Sequence, residues 1–185
     1  SGKTRGGLVA ALSRSGPILV LGPAKARRAW WQQTPATSYL KVHRILPESA
    51  QRADTQPLDE YLEECRTEKR RPLVVVGFEL LADYVSVARQ IRPSVLVIDE
   101  LQLLGDWRRW DTIYREDGTK SYERVKTAAT EAGTQDRDTR SVAARDISRL
   151  PCIELAIGLT ATPVDGGRPT RMWGPFDLLT SGGFG

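Results

Sequence analysis

The first four residues, Ser1-Gly2-Lys3-Thr4, have the types and spacing of a loop that binds phosphate. They match the end of the pattern Gly-x-x-x-x-Gly-Lys-Ser/Thr, and a segment with helical character follows them. In such a loop, backbone N–H groups and the helix N-terminus bind phosphate oxygens, the lysine neutralises charge and the hydroxyl binds magnesium. The string predicts a nucleotide-binding loop whose first glycine lies before Ser1, although so short a match is also typical of a surface turn.

An acidic pair, Asp99 and Glu100, follows the apolar run at residues 95–98. Ligands bind at the carboxyl ends of strands in open α/β sheets. Because adjacent strand residues point to opposite sides, one carboxylate can bind magnesium while its neighbour polarises a water molecule. The pattern does not say which carboxylate has which role, and a solvated strand end can have the same sequence. Our hypothesis is that Thr4 and Asp99 bind Mg²⁺, and that Lys3, Asp99 and Glu100 are catalytic, with Glu100 orienting the attacking water.

The string Gly-Leu-Thr-Ala-Thr-Pro at residues 158–163 also follows an apolar run. Alone, it predicts only a turn at a strand end. However, the order Gly-Lys-Thr, then Asp-Glu-x-Gln at residues 99–102, then Leu-Thr-Ala-Thr-Pro resembles motifs I, II and III of superfamily-two helicases and translocases. The resemblance implies that Gln102, Thr160 and Thr162 couple the nucleotide site to a nucleic-acid track.

Further segments are similar to the Swi/Snf-like branch of that superfamily. Residues 17–33, with Leu-Gly-Pro-Ala and then two tryptophans, resemble its motif Ia, and residues 172–179 resemble the segment after Thr-Pro. Gln102 stands where histidine is usual and Ala161 where glycine is more typical, which leaves other helicase branches open. The resemblance implies that three basic residues near motif Ia contact a nucleic-acid backbone: Lys25, Arg27 and Arg28.

The charge distribution is uneven along the chain. The net charge is +4, but residues 1–47 contain eight basic residues and no acidic one, so the remainder carries −4. This asymmetry suits contact with the phosphates of a nucleotide or a nucleic acid, although a solvated basic face has the same composition. Trp30 and Trp31 could stack on bases, but we expect one or both of them to pack against the sheet instead.

Alternating strands and helices predict an α/β fold with a mainly parallel sheet. The resemblance implies a three-layer RecA-like P-loop NTPase domain, truncated at its N-terminus, over residues 1–185, with an insertion at 107–149. Strands are predicted at 18–21, 39–45, 73–76, 95–98 and 153–159, and helices at 7–13, 58–69, 80–90 and 142–150.

The composition excludes several other classes of protein. The 185 residues, 40% of them hydrophobic, suit one domain with its own core. No apolar stretch reaches the roughly 18 residues that span a bilayer, so we expect no membrane contact and an intracellular location, in the cytoplasm, nucleoid or nucleus. Cys65, Cys152 and the single His43 cannot supply four zinc ligands.

Taken together, the resemblance implies the ATP-binding half of an ATP-dependent DNA translocase or helicase. ATP and Mg²⁺ would be its cofactors, and its partners would be DNA, with duplex favoured, and a second RecA-like domain of the same parent chain. We expect the 185 residues alone to hydrolyse ATP poorly, because that second domain supplies arginines to the site. The alternatives are a strand-separating helicase, a restriction-complex motor subunit, a viral packaging ATPase, which motif III argues against, and a degenerate nucleotide-binding scaffold.

Overall fold

A five-stranded, all-parallel sheet organises the chain. The computed structural model describes residues 2–34, 39–46, 51, 55–104, 110–114, 120–124, 143–161 and 173–180. The strands, numbered in chain order, are β1 (Ile18–Gly22), β2 (Leu40–Arg44), β3 (Arg71–Gly77), β4 (Val95–Asp99), β5 (Trp110–Tyr114), β6 (Lys120–Arg124) and β7 (Leu155–Leu159). The sheet has the order β2-β3-β1-β4-β7, and β5 and β6 pair separately as an antiparallel hairpin.

Helices alternate with the strands of the sheet. Pro23 and Pro57 directly precede the second and third helices, positions where a missing N–H costs no helical hydrogen bond. The helices are α1 (Gly2–Ala11), α2 (Ala24–Gln33), α3 (Leu58–Thr67), α4 (Leu81–Ile91), α5 (143–148) and α6 (Trp173–Thr180).

Two hydrophobic clusters cover the two faces of the sheet. Along β1, Leu19 and Leu21 belong to one cluster, which includes residues from α3, α4, α5 and α6. Ile18 and Val20 belong to the other, which includes residues from α1 and α2. All five residues of β1 and of β4 are buried. Burial on both faces explains why these strands are continuous apolar runs without polar alternation.

The parallel register brings the segments that carry the predicted site residues to one edge of the sheet. Asp99 at the end of β4 is the register partner of Leu159 at the end of β7. Arg71, at the start of β3, donates a hydrogen bond to the carbonyl of Ala11 at 3.2 Å, so the C-terminal end of α1 lies at the opposite, amino edge. The N-terminus of α1, with Lys3, therefore lies at the carboxyl edge, where ligands bind in such sheets.

The predicted α/β class and parallel sheet are confirmed, including the strand expected near residues 39–45. The helix expected at 7–13 instead begins at Gly2, because Gly2 and Gly6 have low helix propensity and conceal the start of the helical pattern. In the segment predicted as an insertion, the structure has the hairpin β5-β6 and helix α5, whose Ala143, Ala144 and Ile147 are buried in the core.

Within the described part of the chain, no helix combines the length and apolarity needed to cross a membrane.

Candidate functional site

The first turn of α1 and the end of β4 meet through Lys3 and Glu100. Lys3 Nζ donates to Glu100 Oε1 at 2.6 Å, and Gln102 Nε2 donates to Glu100 Oε2 at 2.6 Å. The hydrogen bond from Lys3, and then that from Gln102, lowers the pKa of the Glu100 carboxyl below its ordinary value. The side chains of Lys3 and Glu100 remain 32% and 30% exposed. Three residues predicted from two separate motifs thus form one hydrogen-bonded and accessible cluster.

Glu100 occupies an unusual backbone conformation. Its φ and ψ are 55° and 49°, the left-handed region, which a residue with a side chain adopts at a cost of about 1–2 kcal/mol. The expectation that strand pleating separates the two carboxylates was wrong, because β4 ends at Asp99 and Glu100 lies beyond it. The left-handed residue directs the glutamate carboxylate towards α1, whereas the carboxylate of Asp99 contacts α2.

Asp99 is 6% exposed and accepts hydrogen bonds at both carboxylate oxygens. The indole N–H of Trp30, in α2, donates to Asp99 Oδ2 at 3.0 Å, and the backbone N–H of Glu100 donates to Oδ1 at 3.0 Å. A buried carboxylate is stable only when such donors compensate for its lost hydration. The sequence predicts that one or both tryptophans pack against the sheet, but it gives no sign of this hydrogen bond, which joins residues 69 positions apart.

Close packing holds α1 against the sheet beside Asp99. Thr4, Gly7, Leu8 and Ala11 are buried, at the spacing of one helix face. A Cβ atom on Gly7 would lie 2.7 Å from Leu159 Cδ1 and 3.4 Å from Trp30 Cη2. The glycine therefore lets α1 approach β7 and the Trp30 ring, and this keeps Lys3 and Thr4 in the first turn at the carboxyl edge.

The remaining residues of the predicted nucleotide and coupling sets differ in position. Gly2 is the exposed first residue of α1, and Thr160 is a half-buried residue directly after β7. Ser1 and Thr162 lie outside the described residues. The structure thus brings together Lys3 with Glu100 and Gln102, and it places Thr160 at the same edge of the sheet.

The basic residues predicted to contact nucleic acid lie on α2, directly after β1. Lys25 and Arg28 are exposed. Arg27 is directed elsewhere: its Nη1 forms an ion pair with Glu79 Oε1 at 2.7 Å, and its side chain is 13% exposed. Arg27 therefore joins α2 to the residues that follow β3, while Lys25 and Arg28 present their charge to solvent.

Trp31, adjacent to the buried Trp30, is 45% exposed. The Arg44 guanidinium lies over its ring, 4.3 Å from the ring centroid. Such a contact contributes about 0.5–1 kcal/mol at an exposed site. The two neighbouring tryptophans therefore have different environments: Trp30 lies in the core, and Trp31 is on the surface.

The donor atoms at this edge suit magnesium and phosphate. The Thr4 hydroxyl and the Asp99 carboxylate are hard oxygen ligands, and Mg²⁺ is commonly held by one or two carboxylates together with substrate phosphates. The two observed hydrogen bonds leave two of the four lone-pair sites of Asp99 for other partners. Among its described residues, the structure contains no cluster of three or more His, Cys, Asp or Glu side chains suited to a metal.

Comparison with protein-family models and with curated proteins finds no match to this sequence. The motifs, the fold and the geometry of the site are therefore the basis on which a function can be proposed.

Proposed function

We propose that this chain is the ATP-binding half of an ATP-dependent DNA translocase or helicase, in a RecA-like P-loop domain of the Swi/Snf-like kind. The observation that carries the proposal is the contact between Lys3, in the first turn of α1, and Glu100, at the end of β4. Residues 97 positions apart, each predicted from its own motif to act on a nucleotide, lie 2.6 Å apart at the ligand-binding edge of a parallel sheet.

Phosphate binding is the role of Lys3 and the N-terminus of α1. An ammonium group has three N–H donors, so Lys3 can donate to Glu100 and still donate to phosphate oxygens. The partial positive charge at the start of the helix adds to this attraction. Lys3 therefore binds the terminal phosphates of ATP, and Gly2 lets the backbone approach them closely.

The carboxylates have separate roles in hydrolysis. Thr4 and Asp99 hold Mg²⁺, which when bound neutralises charge on the β- and γ-phosphate oxygens. Glu100 is held ionised by Lys3 and Gln102, and an ionised carboxylate can orient the attacking water and accept its proton. Gln102 cannot take up a proton as histidine does, so it acts by hydrogen bonding, and with Thr160 and Thr162 it couples the site to the DNA track.

DNA contact is assigned to the basic surface of α2. Lys25 and Arg28 are exposed there and would bind backbone phosphates without regard to sequence. Arg27 would reach a phosphate only by exchanging its ion pair with Glu79. The second RecA-like domain of the parent chain would supply arginines that stabilise the transition state, an effect worth roughly 10³ to 10⁵ in rate.

The test is steady-state ATP hydrolysis by the full-length protein that carries this chain, without nucleic acid and with single-stranded DNA, duplex DNA or RNA. We expect duplex DNA to stimulate turnover, Lys3→Ala to weaken nucleotide binding, and Glu100→Gln to bind ATP without turnover. Arg14→Ala is the matched control, since Arg14 is an exposed basic residue just beyond the C-terminal end of α1.

Each other outcome favours a different function. Stimulation only by single strands or RNA would favour a strand-separating helicase, and binding without turnover under every condition would favour a nucleotide-binding scaffold. A Glu100→Gln protein with wild-type turnover would contradict the role given to that carboxylate.

A further inference from the structure

Trp30 connects three elements that carry the site. Its indole N–H donates to Asp99 at the end of β4, its ring lies under Gly7 of α1, and its backbone belongs to α2. The side chain is fully buried, among residues of α1, β1 and β4. A buried ring surrounded by close packing has few alternative rotamers, so the direction of its N–H is fixed by the fold.

The hydrogen bond acts on a carboxylate that has few other restraints. Among the described residues, Asp99 accepts from the Trp30 indole at one oxygen and from the Glu100 backbone N–H at the other. The Glu100 donor is local to the chain turn, whereas the Trp30 donor comes from another helix and fixes the side-chain torsion from outside. Partners of this kind orient metal ligands and are needed for full metal affinity.

We infer that Trp30 is a positioning residue for the metal site: its indole N–H holds the Asp99 carboxylate in the one orientation that presents its free lone pairs to magnesium. The inference rests on the proposed function, because that proposal gives Asp99 its metal role. It adds a specific reason for tryptophan at this position. A residue that only filled the core would need the ring, whereas a positioning residue needs the ring and the N–H donor.

Two replacements of Trp30 in the full-length protein separate the donor from the ring. Trp30→Phe removes the N–H and part of the ring, and replacement by β-(3-benzothienyl)alanine keeps the bicyclic shape while sulfur takes the place of the N–H. Trp31→Phe is the control, because the adjacent Trp31 is exposed and contacts Arg44. Thermal unfolding of each variant shows whether it has retained its fold.

The principal measurement is Mn²⁺ affinity in the presence of a non-hydrolysable ATP analogue, followed by electron paramagnetic resonance. We expect both Trp30 variants to bind Mn²⁺ about 10- to 100-fold more weakly than wild type, and Trp31→Phe to bind it as wild type does. The indole ¹H–¹⁵N resonance of Trp30 gives a readout that needs no metal. It should move upfield in Asp99→Ala, which removes the acceptor.

The outcomes separate the inference from the function on which it rests. The wild-type protein could bind the Mn²⁺–nucleotide while the folded benzothienylalanine variant has equal Mn²⁺ affinity. This result would overturn the positioning role and leave the proposed function intact. An indole resonance that does not move in Asp99→Ala would overturn the hydrogen bond itself. Wild-type protein that binds no Mn²⁺–nucleotide would overturn the proposed function, and the inference with it.

Discussion

Replacing Gly22 by alanine tests whether the end of β1 must be free of a side chain for the site to form. A Cβ atom at this position would lie 2.9 Å from the Cβ of Ala26 in α2 and 3.3 Å from the Cβ of Asp99 in β4. Carbon atoms normally approach to about 3.5–4.0 Å. Both neighbouring atoms are attached directly to backbone, so no rotamer change can move them away.

The size of the effect follows from this geometry. To restore normal contact distances, α2 must move away by roughly 0.6 Å and β4 by roughly 0.2 Å. Overpacking of this kind typically costs about 1–3 kcal/mol. Gly6→Ala is the matched control, because a Cβ on Gly6 would have no atom within 4 Å. Since Gly6 is an exposed residue of α1, that change should stabilise the protein by about 0.5–1 kcal/mol.

Urea unfolding followed by tryptophan fluorescence measures both free energies. We expect the two glycine-to-alanine changes to have opposite signs, with Gly22→Ala destabilising. The strain should also disturb the indole resonance of Trp30, because Ala26 and Trp30 belong to the same helix. If Gly22→Ala proved as stable as wild type, with an unchanged indole resonance, the close approach of α2 and β4 to Gly22 would be refuted.

Three further predictions concern stability. Burial, and then the charge of Arg44, lowers the pKa of His43 to about 4 from 6.5. The free energy of unfolding should therefore fall by on the order of 3 kcal/mol as the pH falls from 6.5 to 4. In His43→Phe, urea titrations across this range should show a much weaker pH dependence. The Tyr61 hydroxyl donates to the Lys41 carbonyl at 2.6 Å and accepts from the Leu73 N–H at 3.1 Å. Tyr61→Phe should therefore lower the free energy of unfolding in denaturant by about 1–3 kcal/mol. An unchanged free energy of unfolding would contradict these hydrogen bonds. The lowered pKa of Glu100, which is paired with Lys3, contributes to the free energy of unfolding above pH 4.5, and this contribution is lost as the pH falls below that value. Lys3→Met should remove the contribution, which is under about 1 kcal/mol because the pair is partly exposed. An unchanged dependence of stability on pH in the acid range would contradict the pair.

Much of the fold could be predicted from the sequence because local patterns determine it. The β-branched runs at 18–21 and 95–98 became β1 and β4, whose residues are buried on both faces. The helix predicted at 58–69 is α3, which begins directly after Pro57. The start of α1 was missed because Gly2 gives no helical signal, although the spacing of its buried residues Thr4, Leu8 and Ala11 is helical.

The hairpin of β5 and β6 was not predicted from the sequence. Residues 107–149 are rich in charge, a composition that predicts an insertion and conceals the two strands within it. The dipeptide Asp117-Gly118 lies between the two strands in sequence, and this dipeptide is the strongest short-range signal for a hairpin. That local signal favours a hairpin, and the structure pairs Trp110–Tyr114 with Lys120–Arg124.

The residue types of the candidate site could be predicted from the sequence, but their contacts could not. Motif order predicts Lys3, Asp99 and Glu100 as a reactive set, and the structure pairs Lys3 with Glu100. The Trp30 hydrogen bond could not be predicted, because it depends on how far α2 rotates and how closely it approaches β4. The ion pair that engages Arg27 with Glu79 depends in the same way on tertiary packing. Sequence therefore identified the groups, and packing determined their partners.

The affinity of the full-length protein for Mg²⁺–ATP, compared between wild type, Lys3→Ala and Arg14→Ala, tests the nucleotide site most directly. Charge-assisted hydrogen bonds to phosphate contribute about 1.5–3 kcal/mol, so Lys3→Ala should bind about 10- to 100-fold more weakly, and Arg14→Ala should bind as wild type does. Equal affinities of wild type and Lys3→Ala would contradict the assignment of this edge of the sheet as a nucleotide site.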